Sequence, residues 1–363
     1  MSNELELLEV LDRAENQRRA RRNFIRLCGG AAAMSGGLSL LSACGSDNNN
    51  NGSTSTAPTP TPTATTATVT DADILNFALN LEYLEGNYYS YAVAGAGIAA
   101  SLQTGVGTQG TVITGSGAGA ARAVSFSDNV IREYAREIAA DEIAHITFLR
   151  TNLGSAAVAQ PSINLSGSAS VTTPGGTAVG AFTAAARAAG VIGANDVFDP
   201  FASDVNFLIG SYLLTDVGVT AYRGSARLIT NKVFLEASAG ILAVEAYHDG
   251  VIRSSLYAQG VAATPPMINN QSIYTVIQKI SDSRDSLDGP SDLDQGIGTA
   301  YTSSGNTQGL VENLVPTDAN SLALGRSAAQ VLNVVYSSAS AVSQGGFFPA
   351  GVNGSIRTSA ANA

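Results

Sequence analysis

Few of the side chains that usually carry chemistry are present. The chain has two cysteines and two histidines in 363 residues, and only 13% of it is charged. Cys28 falls within an N-terminal segment that reads as a removable signal, which leaves Cys44 as the one remaining thiol. A disulfide framework and a cysteine-ligated zinc or iron–sulfur site are therefore excluded. Basic residues are also scarce, 19 against 29 acidic for a net charge of −10, and none cluster beyond the first 26 residues. Nucleic acid is excluded as a partner on that ground. Acidic surfaces draw cations weakly, but this favours solubility and does not build a site.

At the N-terminus, Arg21-Arg22-Asn23-Phe24-Ile25-Arg26 precedes an uncharged Gly/Ala/Leu-rich stretch over residues 27–43. The stretch is too short and too weakly apolar to span a membrane, and the arrangement is that of a twin-arginine export signal. Leu41-Ser42-Ala43-Cys44 resembles a lipobox, in which Cys44 would become the lipidated first residue of a bacterial lipoprotein. An ordinary cleaved signal with an incidental cysteine is the other reading of the same residues. Both predict export, to the periplasm or cell envelope, and the first adds a lipid anchor in the membrane. Residues 45–70 are Asn, Ser, Thr, Pro and Ala with almost no large apolar side chain. They cannot bury a core and read as a disordered tether.

The remainder alternates long helical patterns with loops, as the 38 glycines suggest. A helix is expected over about 71–94, opened by Thr70-Asp71-Ala72-Asp73 and apolar on several sides, hence buried. A second begins near Ser125 or Ser127 and ends at Leu153 before Gly154. Residues 155–198 read as a long loop with a short strand over 170–173, long enough to cross between two parallel helices. A third helix is expected from Phe201 or Ser203 to Ile229 and a fourth over 232–257, joined by a tight link into an antiparallel hairpin. Residues 261–363 form an extension, with helices near 273–281 and 319–336 and an irregular end.

Both histidines sit three residues after a glutamate, in Glu142-Ile-Ala-His145 and Glu245-Ala-Tyr-His248, although the chain has only twelve glutamates. That spacing stacks a carboxylate and an imidazole on one helix face. On an apolar stripe such groups are costly unless paired or bound to a cation. One such motif alone would suit a core histidine bonded to a nearby acid. Two, using every histidine, point to a dinuclear iron or manganese centre, completed by a carboxylate from each of two further helices. The first helix offers Glu82 and Glu85; the third has no glutamate, and its inward candidate is Asp216.

Residues 71–257 resemble the ferritin-like four-helix bundle. Leu79-Asn80-Leu81-Glu82-Tyr83-Leu84-Glu85, Asp216-Val217-Gly218-Val219-Thr220-Ala221-Tyr222, Asn313-Leu314-Val315-Pro316 and Gly345-Gly346-Phe347-Phe348-Pro349-Ala350-Gly351 are similar to the desiccation-related, ferritin-like branch found in bacteria and plants. The resemblance implies an all-α fold: a ferritin-like bundle over 71–260 with a long crossover loop, and a C-terminal helical and irregular extension packed on it. In that superfamily the ligand glutamate is commonly followed seven residues later by a tyrosine. Glu82 with Tyr89 meets the pattern and Glu85 with Ala92 does not, so the resemblance implies Glu82 as ligand and Glu85 as reserve. The implied metal set is Glu82, Glu142, His145, Asp216, Glu245 and His248, with Tyr89 close by; the shorter aspartate leaves the second ion the weaker one. The implied function is a ferroxidase- or catalase-like reaction with oxygen or peroxide in stress protection. The competing expectation is a non-enzymatic envelope or desiccation stress protein with a vestigial site.

Overall fold

The computed structural model describes residues 69–298 and 312–362; Arg21, Arg22, Cys44 and the tether lie outside them. Seven α-helices occur among the described residues: α1 (Asp71–Ala94), α2 (Asn129–Leu153), α3 (Ala181–Ala188), α4 (Asp204–Ala226), α5 (Lys232–Gly260), α6 (Ile273–Asp288) and α7 (Ala328–Tyr336). None of them is long and apolar enough to cross a membrane.

The four long helices are delimited by their caps. Thr70 and Asp73 form a reciprocal capping box at the start of α1, and Gly95, in the left-handed region at φ 71°, ends it. Asp128, Ser203 and Asn231 accept backbone N–H bonds at the starts of α2, α4 and α5. Because Asp128 is the cap, α2 begins later than Ser125 or Ser127. Its start is joined to that of α4, since Asp204 accepts from the Ser127 and Asp128 amides. At the opposite end, Asp71 accepts from the amides of Thr230 and Asn231 in the α4–α5 link. These ties make α2 and α4 parallel, with residues 154–203 as the crossover. The result is the expected four-helix bundle: α1 packs mainly on α2, and α4 on α5.

The helices differ in how completely they are covered. Nearly every side chain of α1 and α4 is buried, whereas α2 and α5 bury one stripe each. Crossover and extension explain the difference, because they pack over the α1–α4 side. β1 (Val112–Ile113), in the loop between α1 and α2, pairs in parallel with β2 (Ile163–Asn164) of the crossover, where β3 (Val171–Thr173) also forms a hairpin with β4 (Gly176–Ala178). The crossover also contains α3, where only loop was expected. Seven of its eight residues are Ala, Phe or Thr apart from Arg187, and Phe182 anchors it by packing on Tyr88 and Phe347.

The extension opens with β5 (Met267–Ile268) and β6 (Gln271–Ser272), then α6, which runs seven residues beyond its expected end. α7 starts only at Ala328, where Ser327 and Gln330 form a capping box; Asp318 upstream organises a turn by accepting from Asn320 and Leu322. The extension is keyed into α4. The Arg326 amide donates to the Thr220 carbonyl at 3.0 Å, and its carbonyl lies where a side chain at Gly224 would begin, 1.8 Å from an ideal Cβ. Only glycine admits that approach. At the tail, Asn353 exchanges two 2.9 Å hydrogen bonds with the side chain of Asn80 on α1.

Candidate metal centre

Three helices bring six acid and imidazole side chains together in the bundle interior. α1 supplies Glu82 and Glu85, one helical turn apart; α2 supplies Glu142 and His145; α5 supplies Glu245 and His248. All six are buried, with no more than 8% of any residue exposed. His145 Nδ1 lies 3.2 Å from Glu82, 3.4 Å from Glu245 and 3.8 Å from Glu142. His248 Nδ1 lies 3.3 Å from Glu142, and the two imidazole centres are 6.3 Å apart. One ligand atom each from Glu82, Glu142, His145 and Glu245 falls within 4.8 Å of all the others.

Neighbouring groups set the orientation of this cluster. The Tyr222 hydroxyl of α4 donates to Glu82 Oε1 and leaves Oε2 turned toward His145. The Thr215 hydroxyl lies 3.4 Å from Glu85 Oε2 and 2.7 Å from the hydroxyl of Tyr89, so Tyr89 touches the cluster only through Thr215. Asp141 Oδ2 stands 3.2 Å from His248 Nε2. A carboxylate only accepts, so Nε2 carries a proton there, and Nδ1 is the ring atom turned toward the cluster. Asp141, Thr215 and Tyr222 were not identified from sequence, although Asp141 immediately precedes the first Glu-x-x-His motif.

Asp216 does not belong to the cluster. Its carboxylate meets Arg284 at 2.5 Å and Arg253 at 3.2 Å, on the side of α4 facing the extension. The helical repeat explains the correction: two positions along a helix differ by about 200°, so the residue facing the cluster is Gly218. A Cβ on Gly218 would stand 2.8 Å from Glu85 Oε1 and 3.2 Å from Glu245 Oε2. α4 thus contributes no carboxylate, and Glu85 fills the space its missing side chain leaves open.

The electrostatics are severe. Burial, compounded by repulsion from Glu245, Glu142 and Glu82, pushes Glu85 well above the usual carboxylate range. Burial and a neighbouring glutamate raise Glu142 and Glu245 as well. Burial disfavours the charged form of the imidazoles, yet the acids overcome it. Glu82 is the main influence holding His145 far above its usual value, while Asp141 and Glu142 push His248 up to about 10. Despite this crowding, Glu82 Oε2, both oxygens of Glu142, Glu245 Oε2 and Nδ1 of both histidines have no hydrogen-bond partner outside the cluster among the described residues. Buried polar atoms are rarely left so. Six of them converge here, and their oxygen and imidazole chemistry suits iron or manganese.

Comparison with known proteins gives a consistent result. A family model described as Ferritin-like domain matches residues 70–258. The chain is 26% identical to a protein named Ferritin-like catalase Nec2 from Nesocodon mauritianus over 79% of its own length and 84% of that protein's. It is 28% identical to Desiccation-related protein PCC13-62 from Craterostigma plantagineum, over 77% and 82% of the respective lengths.

Proposed function

The chain belongs to the ferritin-like domain family, and from that membership and its buried cluster we propose that it holds a dinuclear iron or manganese centre for redox chemistry with peroxide or oxygen. The convergence of six buried polar atoms with no partner outside the cluster carries this reading. Four carboxylates with two neutral imidazoles would carry four negative charges, which two divalent cations would balance. Glu82, Glu85, Glu142, His145, Glu245 and His248 are the proposed ligands, with Asp216 replaced by Glu85. The bound metals would supply a reversible change of oxidation state.

The protein's own groups then have defined tasks. Glu142 lies between both imidazoles and would hold metal together with either of them. Tyr222 fixes the rotamer of Glu82 and Asp141 fixes the ring of His248, holding those donors in place before a cation arrives. The bulky side chains of α1 and α4 keep bulk water out, which strengthens the hold on charge. The name of the catalase relative makes peroxide the preferred substrate, disproportionated to oxygen and water. Stress protection in an exported, lipid-anchored protein completes the proposal; Arg21, Arg22 and Cys44 support that part from sequence alone.

Elemental analysis of protein purified with its export signal intact is the direct test. About two iron or manganese per chain, with peroxide-dependent oxygen release, is the expected result. Protein that takes up neither metal when both are supplied would refute the proposal. It would favour instead the non-enzymatic stress role, which the name of the desiccation-related relative supports.

A further inference from the structure

Crossover and extension cover the α1–α4 side of the bundle, and the described residues leave the opposite flank, formed by α2 and α5, bare. The contact between Asp141 and His248 marks where the two helices meet on that flank. Val130 lies about three turns before Asp141 and Phe148 about two turns after it, so the three share one line along α2. On α5, Val233, Gly240 and Tyr247 recur every seven residues and form a second line. The four large apolar side chains on these lines are all exposed, Val233 to 68% and Tyr247 to 76%. Hardly any charge interrupts the face. No exposed residue of α5 after Glu236 is charged, and on α2 Asp141 is the one charged side chain reaching solvent between Glu137 and Arg150.

Gly240 carries a separate signal. Glycine inside a helix lowers its stability, and nothing within the chain requires it here. A Cβ at Gly240 would meet no atom within 4 Å, and its backbone is not left-handed. What does call for glycine at such a place is the close approach of another backbone. Size and charge then select the occupant. α2 has 25 residues, so the two helices side by side make a face about 37 Å long and about 20 Å wide, roughly 700 Å². Two such faces bury about 1,400 Å² between them, within the range of stable protein interfaces. An apolar, nearly uncharged face can pack on itself, and a two-fold axis closes that contact. An anionic membrane surface fits poorly, because the face offers no lysine or arginine and the chain carries a net charge of −10. We propose that the α2–α5 flank is a homodimer interface, with Tyr247 as an anchor and Gly240 at the point of close approach. The second copy then covers Asp141, the acid that reaches His248 from solvent. This holds whether or not the cluster binds metal.

The test is sedimentation velocity over a concentration series, on the full chain carrying Cys44→Ser so that no acyl group contributes to association. A species of twice the chain mass is expected. Tyr247→Glu sets a carboxylate in the face and should weaken dimerisation roughly thirtyfold or more, with an unchanged circular dichroism spectrum. Gly240→Leu separates the interface from the helix. Leucine favours helix, so the melting temperature of the dilute monomer should rise while the dimer weakens. A chain that is monomeric at every concentration overturns the proposal, as does a dimer that either folded variant leaves intact. Monomeric protein that binds phosphatidylcholine vesicles overturns it too, and assigns the face to lipid. Should Tyr247→Glu fail to fold, Gly240→Leu decides the matter alone.

Discussion

Two groups of buried acids lie in this protein, and they differ in what answers their charge. On one side of α4, Asp216, Asp288 and Asp294 face Arg253, Arg284 and Arg326 through contacts of 2.5–3.2 Å. Arg253 also donates to the carbonyls of Gln295, Gly296 and Asn313. A fourth acid, Asp249, lies 4.0 Å from Arg253 and is pushed well above the usual carboxylate range by burial and by Asp216. On the other side, four glutamates have two imidazoles and no arginine within the cluster. The first group is answered internally and reads as structural. The second is left short of positive charge, as a cation site requires. Burial alone therefore does not mark a functional acid; what matters is whether the protein supplies the opposing charge.

The comparison can be broken most forcefully on the arginine side. Arg284→Ala leaves Asp216 and Asp294 buried without their closest cation, and should cost about 3–5 kcal/mol of unfolding free energy in a denaturant titration. Metal per folded chain should not change; its loss would mean that the two groups are one functional unit. Slightly smaller is the effect of the metals themselves. At about a thousandfold excess over Kd a bound ion adds roughly 4 kcal/mol. His145→Ala and His248→Ala should each lower both metal content and melting temperature, whereas Asp216→Asn should keep its metal and Glu85→Gln should lose it.

Asp294 on the arginine side should respond to pH oppositely to three of the glutamates in the metal-free protein. Glu85, Glu142 and Glu245 have folded-state values above 4.5, so their contribution is complete below that pH and is lost as pH rises through the raised values. Burial works against ionisation of Asp294, but Arg284 and Arg326 hold it below 3.8. Its contribution is present above that pH and is lost on further acidification. Melting temperature followed from acid to neutral pH should therefore fall on the alkaline side, and metal should abolish that fall. Unchanged alkaline behaviour on metal addition would separate the glutamates from the cation. The smallest expected effect is that of Asp141→Asn, which leaves all ligands in place but loosens the His248 ring. A loss of about 10–100-fold in metal affinity is expected, read by competition with a chelator.

Much of the bundle was legible because its signals are periodic and local. Thr70, Ser203 and Asn231 are cap residues by chemistry, and the spacing of Glu142 with His145 and of Glu245 with His248 required only a helix to bring each pair onto one face. What failed was non-local. Asp216 is the inward candidate in a helix that has no glutamate, but α4 is apolar around its whole circumference and gives no inward stripe to decide between position 216 and position 218. The partners that claim Asp216 come from distant α5 and α6. Choosing between Glu82 and Glu85 was unnecessary, because residues three apart share a face and both lie in the cluster. The small helix α3 gave almost no pattern, since alanine carries little periodic contrast and Phe182 is its single large anchor.

The salt-linked arginines also determine where this polypeptide can be cut. The family match ends at residue 258, yet the Asp216–Arg253 pair inside it finds a second guanidinium, Arg284, and the carbonyl acceptors of Gln295, Gly296 and Asn313 beyond it. A recombinant fragment trimmed to the recognisable homology would leave the Asp216–Arg253 pair without its outer partners in an uncovered flank of the bundle, and would expose the leucines of α4 to water. The smallest autonomous piece of this protein is thus larger than its hallmark sequence.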